Sequence, residues 1–177
     1  MKATRILLAA MVLGTVGVSQ ADAQCSGIAT CNTTNTASVS VGALVKLGMS
    51  GTTTSLTAPT AANIDVGAVL ANDGPTFTIK ANRSWTLKIK SQNATDWTYA
   101  GGNSGVKPIS HLAWSTAVGG TFAAITNADA TFLSGASSTN GTAAQAFFRT
   151  TWLADFTDLS NREGDYSLPI VFTLTAP

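Results

Sequence analysis

Two places in this chain hold side chains that catalysis could use, and the first is a serine near a histidine. His111 is the single histidine of the 177 residues, and Ser104 precedes it in a Gly-Asn-Ser-Gly loop. A serine hydrolase also needs a carboxylate that orients the histidine. No acidic residue stands near this pair at a spacing that fits such a triad. A lone histidine on a strand is more often a surface or structural side chain, so we expect no catalysis here.

The second place is an acidic stretch near the C-terminus, formed by Asp155, Asp158, Glu163 and Asp165. A pair of carboxylates serves a glycosidase when one of them has a raised pKa. The local sequence singles out no such acid, since charged loop residues are ordinarily solvated. The stretch also lacks the spacing of an EF-hand calcium loop. We therefore predict a protein that is not an enzyme and holds no metal or other cofactor.

Aromatic residues offer a binding site of another kind. Trp97, Tyr99 and Trp114 flank the Gly-rich loop of residues 101–105, and exposed rings there would form a platform for a carbohydrate. Trp85 lies instead on the apolar positions of an alternating segment, where large aromatics usually fill a core. The sequence leaves both roles open for these side chains.

Apolar and polar residues alternate along much of the chain, which is the pattern of half-buried β-strands. The longest such segments are residues 39–49 and 166–174. Residues 64–70 predict a further strand, stopped by the Asn-Asp-Gly-Pro turn signal at residues 72–75. Short segments of this kind, divided by turns, are typical of a sandwich.

The central and C-terminal segments extend the same pattern. Residues 76–81 and 84–90 alternate on either side of Asn-Arg and predict a β-hairpin. Residues 143–155 would fit a helical stripe as well as a strand, but paired Phe and Thr residues favour the strand. The predicted fold is all-β: a single immunoglobulin-like antiparallel β-sandwich of about 8–10 strands.

The N-terminal residues have the pattern of a secretory signal peptide. Lys2 and Arg5 precede an apolar run over residues 6–18, and Ala-Asp-Ala at residues 21–23 fits a cleavage site. The apolar run is shorter than the roughly 20 residues that a membrane span requires. We expect cleavage after residue 23, no transmembrane segment in the mature chain, and a secreted or cell-surface location.

The start of the mature chain predicts a small disulfide loop. Cys25 and Cys31 are the two cysteines, and export brings them to an oxidising environment. The disulfide loop and a polar linker are predicted over residues 24–37, and the sandwich over residues 38–177. Loss of Lys2, Arg5 and Asp22 with the signal peptide leaves eight basic and eight acidic residues. Because this balance is neutral, nucleic acid is not an expected partner.

Two short motifs resemble those of a known family. Residues 84–89 read Ser-Trp-Thr-Leu-Lys-Ile, and residues 166–177 contain Tyr, then Phe-Thr-Leu, then Ala-Pro. Together they resemble the WxL cell-surface domains, with Phe172 where a second tryptophan is usual. The resemblance loosely covers residues 39–177, and it implies an extracellular β-sandwich that attaches non-covalently to the cell wall or assembles with surface partners. The motifs make Trp85, Leu87, Phe172 and Leu174 candidate binding residues, in addition to the aromatic-platform candidates Trp97, Tyr99 and Trp114.

A pilin-like subunit is the alternative function. Such a subunit completes the sheet of a neighbour with a donated strand, and residues 39–49 have the required alternation. Against this alternative, residues 24–37 before them hold one large aliphatic side chain, Ile28. The donor would then have to be the strand at residues 39–49 itself, and its donation would leave the rest of the sandwich incomplete. The predicted function is thus a non-catalytic surface protein that contacts cell-wall polysaccharide, peptidoglycan or other surface proteins, with self-assembly by donor-strand exchange as the alternative.

Overall fold

The computed structural model of the chain describes Thr30, Asn32 and residues 34–177. The predicted signal peptide at residues 1–23 and the predicted Cys25–Cys31 disulfide lie outside these residues. Val41–Pro177 forms one unit, and Met1–Ser40 is a separate one.

Ten strands, all in antiparallel pairs, form the described fold. They are β1 (Val45–Met49), β2 (Val69–Ala81), β3 (Trp85–Ser91), β4 (Thr98–Ala100), β5 (Leu112–Ser115), β6 (Ala123–Ala124), β7 (Ala130–Gly135), β8 (Thr139–Thr151), β9 (Asp165–Ser167) and β10 (Ile170–Thr175). One short helix, α1 (Ala61–Val66), precedes β2, and single 3-10 turns lie at Ile109–His111 and Leu159–Asn161. The prediction of an all-β antiparallel sandwich is confirmed.

Two sheets enclose the core. The larger has the order β1-β2-β8-β5-β6 and the smaller has the order β10-β3-β7, while β4 and β9 form a separate pair. Along β3 the side chains alternate, so that Trp85, Leu87 and Ile89 are buried and the residues between them are half-buried. Rings from both sheets meet in this core, since Phe77 of β2 lies 5.6 Å from Phe132 of β7.

The predicted hairpin between residues 76–81 and 84–90 is wrong. The two segments belong to β2 and β3, which lie in different sheets, and the turn at Asn82 and Arg83 carries the chain from one sheet to the other. Alternation indicates which face of a strand is buried, but it does not indicate the partner. Both strands present apolar residues to the same core from opposite sides, so their sequences resemble those of a hairpin.

The predicted stop at residues 72–75 is also wrong, because β2 continues through it. The register of β2 against β8 shifts between Asp73 and Thr76, which marks a bulge. Pro75 lies inside this irregularity, where its missing N–H removes no regular ladder bond. A Cβ atom on Gly74 would lie 2.6 Å from the Phe148 ring, so only glycine fits there without rearrangement.

Three further segments differ in detail from their predictions. Residues 64–70 divide into the end of α1 and the start of β2, because Thr60 and Asn63 form a capping box that begins a helix. Residues 143–155 are a strand as far as Thr151, which confirms that choice over a helix. The C-terminal segment forms β9 and β10, interrupted at Leu168 and Pro169.

Candidate functional site

The residues that carry the motif resemblance lie side by side in the smaller sheet. Leu87 of β3 is directly opposite Leu174 of β10, and Ile89 is opposite Phe172. Trp85 is 3% exposed and Leu87 is completely buried. These two side chains fill the core and do not reach the surface.

Phe172 and Leu174 occupy a less enclosed position. Both are half-buried and pack against the core, but β10 is the edge strand of its sheet. The Phe172 ring lies 4.5 Å from that of Phe77 and 5.6 Å from that of Phe132. Phe172 and Leu174 are therefore partly exposed apolar side chains on an edge strand.

The three residues predicted for an aromatic platform are divided among different surroundings. Trp97 is 8% exposed, and its Nε1 donates a hydrogen bond of 3.1 Å to the carbonyl of Pro108. Tyr99 is half-buried on β4, with its ring 5.0 Å from that of Tyr166. Trp114 is half-buried on β5 and packs 5.5 Å from the Phe132 ring. The structure does not bring them together on one flat face.

A buried lysine is the feature that sequence reasoning missed. Lys107 is 1% exposed, its Nζ donates a 2.8 Å hydrogen bond to the carbonyl of Thr151, and the same atom lies 3.7 Å above the Trp152 ring. Loss of hydration lowers the pKa of Lys107 from 10.5 to about 8, and the charge of Asp158 opposes this shift. A lysine of low pKa can act as a nucleophile, but here it is enclosed and ties its loop to the end of β8.

His111 is affected by the same two charges, those of Lys107 and Asp158. Its Nδ1 is buried and has no hydrogen-bond partner among the described residues. Burial lowers the pKa of His111, and the positive charge of Lys107 lowers it further. Ser104, the serine that precedes His111 in the sequence, is exposed in the loop after β4.

Two of the acidic residues hold the loop after β8 in shape. Asp155 accepts hydrogen bonds of 2.7 Å from both the N–H and the hydroxyl of Thr157, and Asp158 accepts one of 2.7 Å from the N–H of Ser160. These hydrogen bonds lower the pKa of both carboxyl groups. Each remains ionised at neutral pH, whereas a glycosidase acid needs a raised pKa.

Among the described residues, no three His, Cys, Asp or Glu side chains are grouped closely enough to hold a metal ion. A surface depression of about 150 Å³ between the bulge of β2 and Phe122 is smaller than the roughly 300 Å³ at which ligand pockets begin. In the part of the chain that the structure describes, no helix is long and apolar enough to cross a membrane.

The free edge of β10 is the strongest candidate site. β10 pairs with β3 on one side, and its other side has no ladder partner among the described residues. β1, the edge strand of the larger sheet, approaches β10 without pairing with it. The inward side chains of β10, Ile170, Phe172 and Leu174, remain half-buried. Such an edge exposes backbone donors and acceptors that an added strand would satisfy.

The segment before β1 is an exposed stretch of chain that could supply such an added strand. Residues 34–44 form neither helix nor strand, and all of them are exposed. Val39 and Val41 are 90% and 68% exposed. The side-chain amide of Asn82 accepts a 2.8 Å hydrogen bond from the N–H of Leu44 and donates one of 2.8 Å to the carbonyl of Gly42. Of the predicted strand at residues 39–49, only Val45–Met49 is paired.

No protein-family model matches this chain, and no curated protein matches it significantly.

Proposed function

We propose that the protein is an exported, non-catalytic structural subunit that assembles with further copies of itself by strand addition. Residues 38–41 of one copy pair with the free edge of β10 of the next, while residues 42–44 stay bound to Asn82 of their own copy. The observation that carries this proposal is that the described residues include both a sheet edge without a ladder partner among them and a strand-like segment without one. Because each copy has one acceptor edge and one donor segment, the contact is heterologous and extends into a linear assembly.

The alternation of the segment suits the edge. An added strand turns every second side chain towards the core, so Val39 and Val41 would lie beside Phe172 and its half-buried neighbours. Ser38 and Ser40 would then face the solvent. Full burial of an exposed valine is worth about 1.5–3 kcal/mol, and the backbone hydrogen bonds of the new ladder add to this. Strand addition of this kind is an established mode of recognition between protein chains.

The test compares two variants of the mature protein that differ only in which face carries the new charge. Val39→Asp/Val41→Asp places two carboxylates on the inward face of the donated strand, and Ser38→Asp/Ser40→Asp places them on the outward face. We expect an SDS-resistant ladder of oligomers from the wild type and the serine variant, and monomers from the valine variant. A ladder that survives both substitutions, or is absent from the wild type, contradicts the proposal.

Binding to the cell surface is the second candidate function. Its support is the pairing of Leu87 with Leu174, which places both motif segments of the WxL resemblance next to each other in one sheet. In this function the sandwich would attach non-covalently to cell-wall polysaccharide, peptidoglycan or other surface proteins. Co-sedimentation with purified cell-wall sacculi tests it, with the valine variant as the monomeric form. Sedimentation of that monomer supports this candidate, and its absence from the pellet contradicts it.

A further inference from the structure

The two ends of the sandwich carry opposite charge. β2 and β8 have 13 residues each and run the length of the larger sheet, a span of about 40 Å. At one end Val69 pairs with Thr151, and at the other Ala81 pairs with Thr139. We call these ends the Val69 pole and the Ala81 pole.

The Val69 pole is acidic and exposes apolar side chains. Asp65 lies in α1 directly before β2, and the stretch from the loop after β8 to the start of β9 adds four carboxylates, which are Asp155, Asp158, Glu163 and Asp165. Two cations, Arg162 in the same stretch and the buried Lys107 at Thr151, offset part of this negative charge. The exposed apolar residues at this pole are Val66, Val69, Leu153, Phe156 and Leu159. Phe156 is 57% exposed. Clustered exposed apolar residues with a charged rim are typical of protein-interaction surfaces.

The Ala81 pole is basic and concave. Lys46 of β1 stands directly opposite Lys80 of β2, and Arg83 lies in the turn that follows β2. All three side chains are exposed. Like charges directly opposite each other in a sheet are destabilising, and an anionic partner would relieve this repulsion. A shallow depression of about 230 Å³ at this pole is lined by Leu44, Val45, Lys46, Lys80, Ala81, Asn82 and Thr139.

We propose that the Val69 pole of one copy docks on the Ala81 pole of the next, with Phe156 in the depression and the carboxylates facing Lys46, Lys80 and Arg83. The occupant is a second copy because charge and shape are complementary within this one chain. The inference rests on the proposed strand addition and adds a second contact to it. A protruding apolar side chain and a depression elsewhere on the same molecule generate an open, linear assembly.

The position of the donor segment is consistent with this contact. Hydrogen bonds to Asn82 fix residues 42–44 at the Ala81 pole, so a donated strand leaves its own sandwich there. The Ile170 end of β10 lies towards the Val69 pole, since the Tyr166 ring before it contacts that of Trp152 at 6.5 Å. A strand that adds antiparallel to β10 therefore brings unlike poles together. A parallel strand would bring two basic poles together.

The experiment measures the rate at which the SDS-resistant ladder forms from the purified mature protein. Glu163→Lys should slow it about threefold, because charges at a rim mainly change the association rate. The double variant Glu163→Lys/Arg83→Glu restores opposite charges at the two poles and should recover most of the wild-type rate. Asp73→Lys makes the same change of net charge on the flank of β2 and should leave the rate unchanged. Phe156→Ser should also slow assembly, whereas Val118→Ser, which removes another exposed apolar side chain, should not.

The outcomes separate this inference from the proposed strand addition. A wild type that forms no ladder overturns both. If the wild type forms the ladder, and Glu163→Lys and Phe156→Ser form it as fast as the two control variants do, the pole contact is overturned. Strand addition is then still supported. A slow Glu163→Lys variant that Arg83→Glu does not rescue also overturns it, since head-to-tail charge pairing requires that rescue. The rate of the wild type should fall as salt is added, and that of the double variant should fall similarly.

Discussion

At the scale of single residues, Lys107 makes the stability of the fold depend on pH. Its pKa is about 8 in the folded chain, against an ordinary value of 10.5. Between these values the unfolded chain binds a proton that the folded chain does not, so the free energy of unfolding rises as the pH rises from about 8 to 10.5. The full shift corresponds to a gain of about 3 kcal/mol. The raised pKa of Tyr166 acts in the opposite direction above pH 10.

Urea unfolding at several pH values measures this rise in the free energy of unfolding. Two variants test whether Lys107 causes it. Lys107→Met removes the buried charge, so the increase in the free energy of unfolding between pH 8 and 10 should disappear. Lys80→Met removes an exposed lysine and should retain the increase. If the free energy of unfolding rises equally with pH in the wild type and in Lys107→Met, the ammonium of Lys107 does not lose its hydration on folding.

At the scale of secondary-structure elements, the close approach of β7 to β3 depends on a glycine. Gly135 stands directly opposite Trp85, and a Cβ atom added to it would lie 2.5 Å from the Trp85 Nε1. Gly135→Ala must therefore displace a large buried ring, which should cost about 1–3 kcal/mol of stability. Gly102→Ala is the matched control, because nothing lies within 4 Å of the added atom. Thermal unfolding should show a lower Tm only for Gly135→Ala, and an equal Tm for both would contradict this packing.

The elements also show how far a sequence can specify this fold. Periodicity identified β3 and β10 and their apolar faces, because the core imposes apolar residues on every second position. It gave β1 as part of a longer strand, and β8 was favoured over a helix by its paired Phe and Thr residues rather than by periodicity. Periodicity could not assign the partner of β2, since strands from either sheet face one core. It also missed the role of Lys107, because a buried cation depends on a carbonyl and a ring that come from another part of the chain. The unpaired edge of β10 is a property of the sheet order, which no local pattern contains.

At the scale of the whole molecule, strand addition should stabilise the sandwich by mass action. A variant without residues 24–40 keeps the Val41–Pro177 unit and the free edge of β10 but lacks most of the donor. A synthetic peptide of residues 34–44 should bind this edge and raise the free energy of unfolding. One bound peptide at 100 times its Kd adds about 2.7 kcal/mol. The increase should grow with the logarithm of peptide concentration, which urea unfolding at rising peptide concentration measures.

Two substituted peptides distinguish strand addition from non-specific binding, because they place the new charges on opposite faces of the strand. The same peptide with Val39→Asp/Val41→Asp should give no stabilisation, and the peptide with Ser38→Asp/Ser40→Asp should remain active. Both variants carry the same charge, so a difference between them reports which side chains enter the core. If all three peptides stabilise the truncated protein equally, or none does, the edge of β10 is not the acceptor of this segment. If only the valine-substituted peptide fails, the half-buried surface of Phe172 and Leu174 is the part of the sandwich that the donated strand completes.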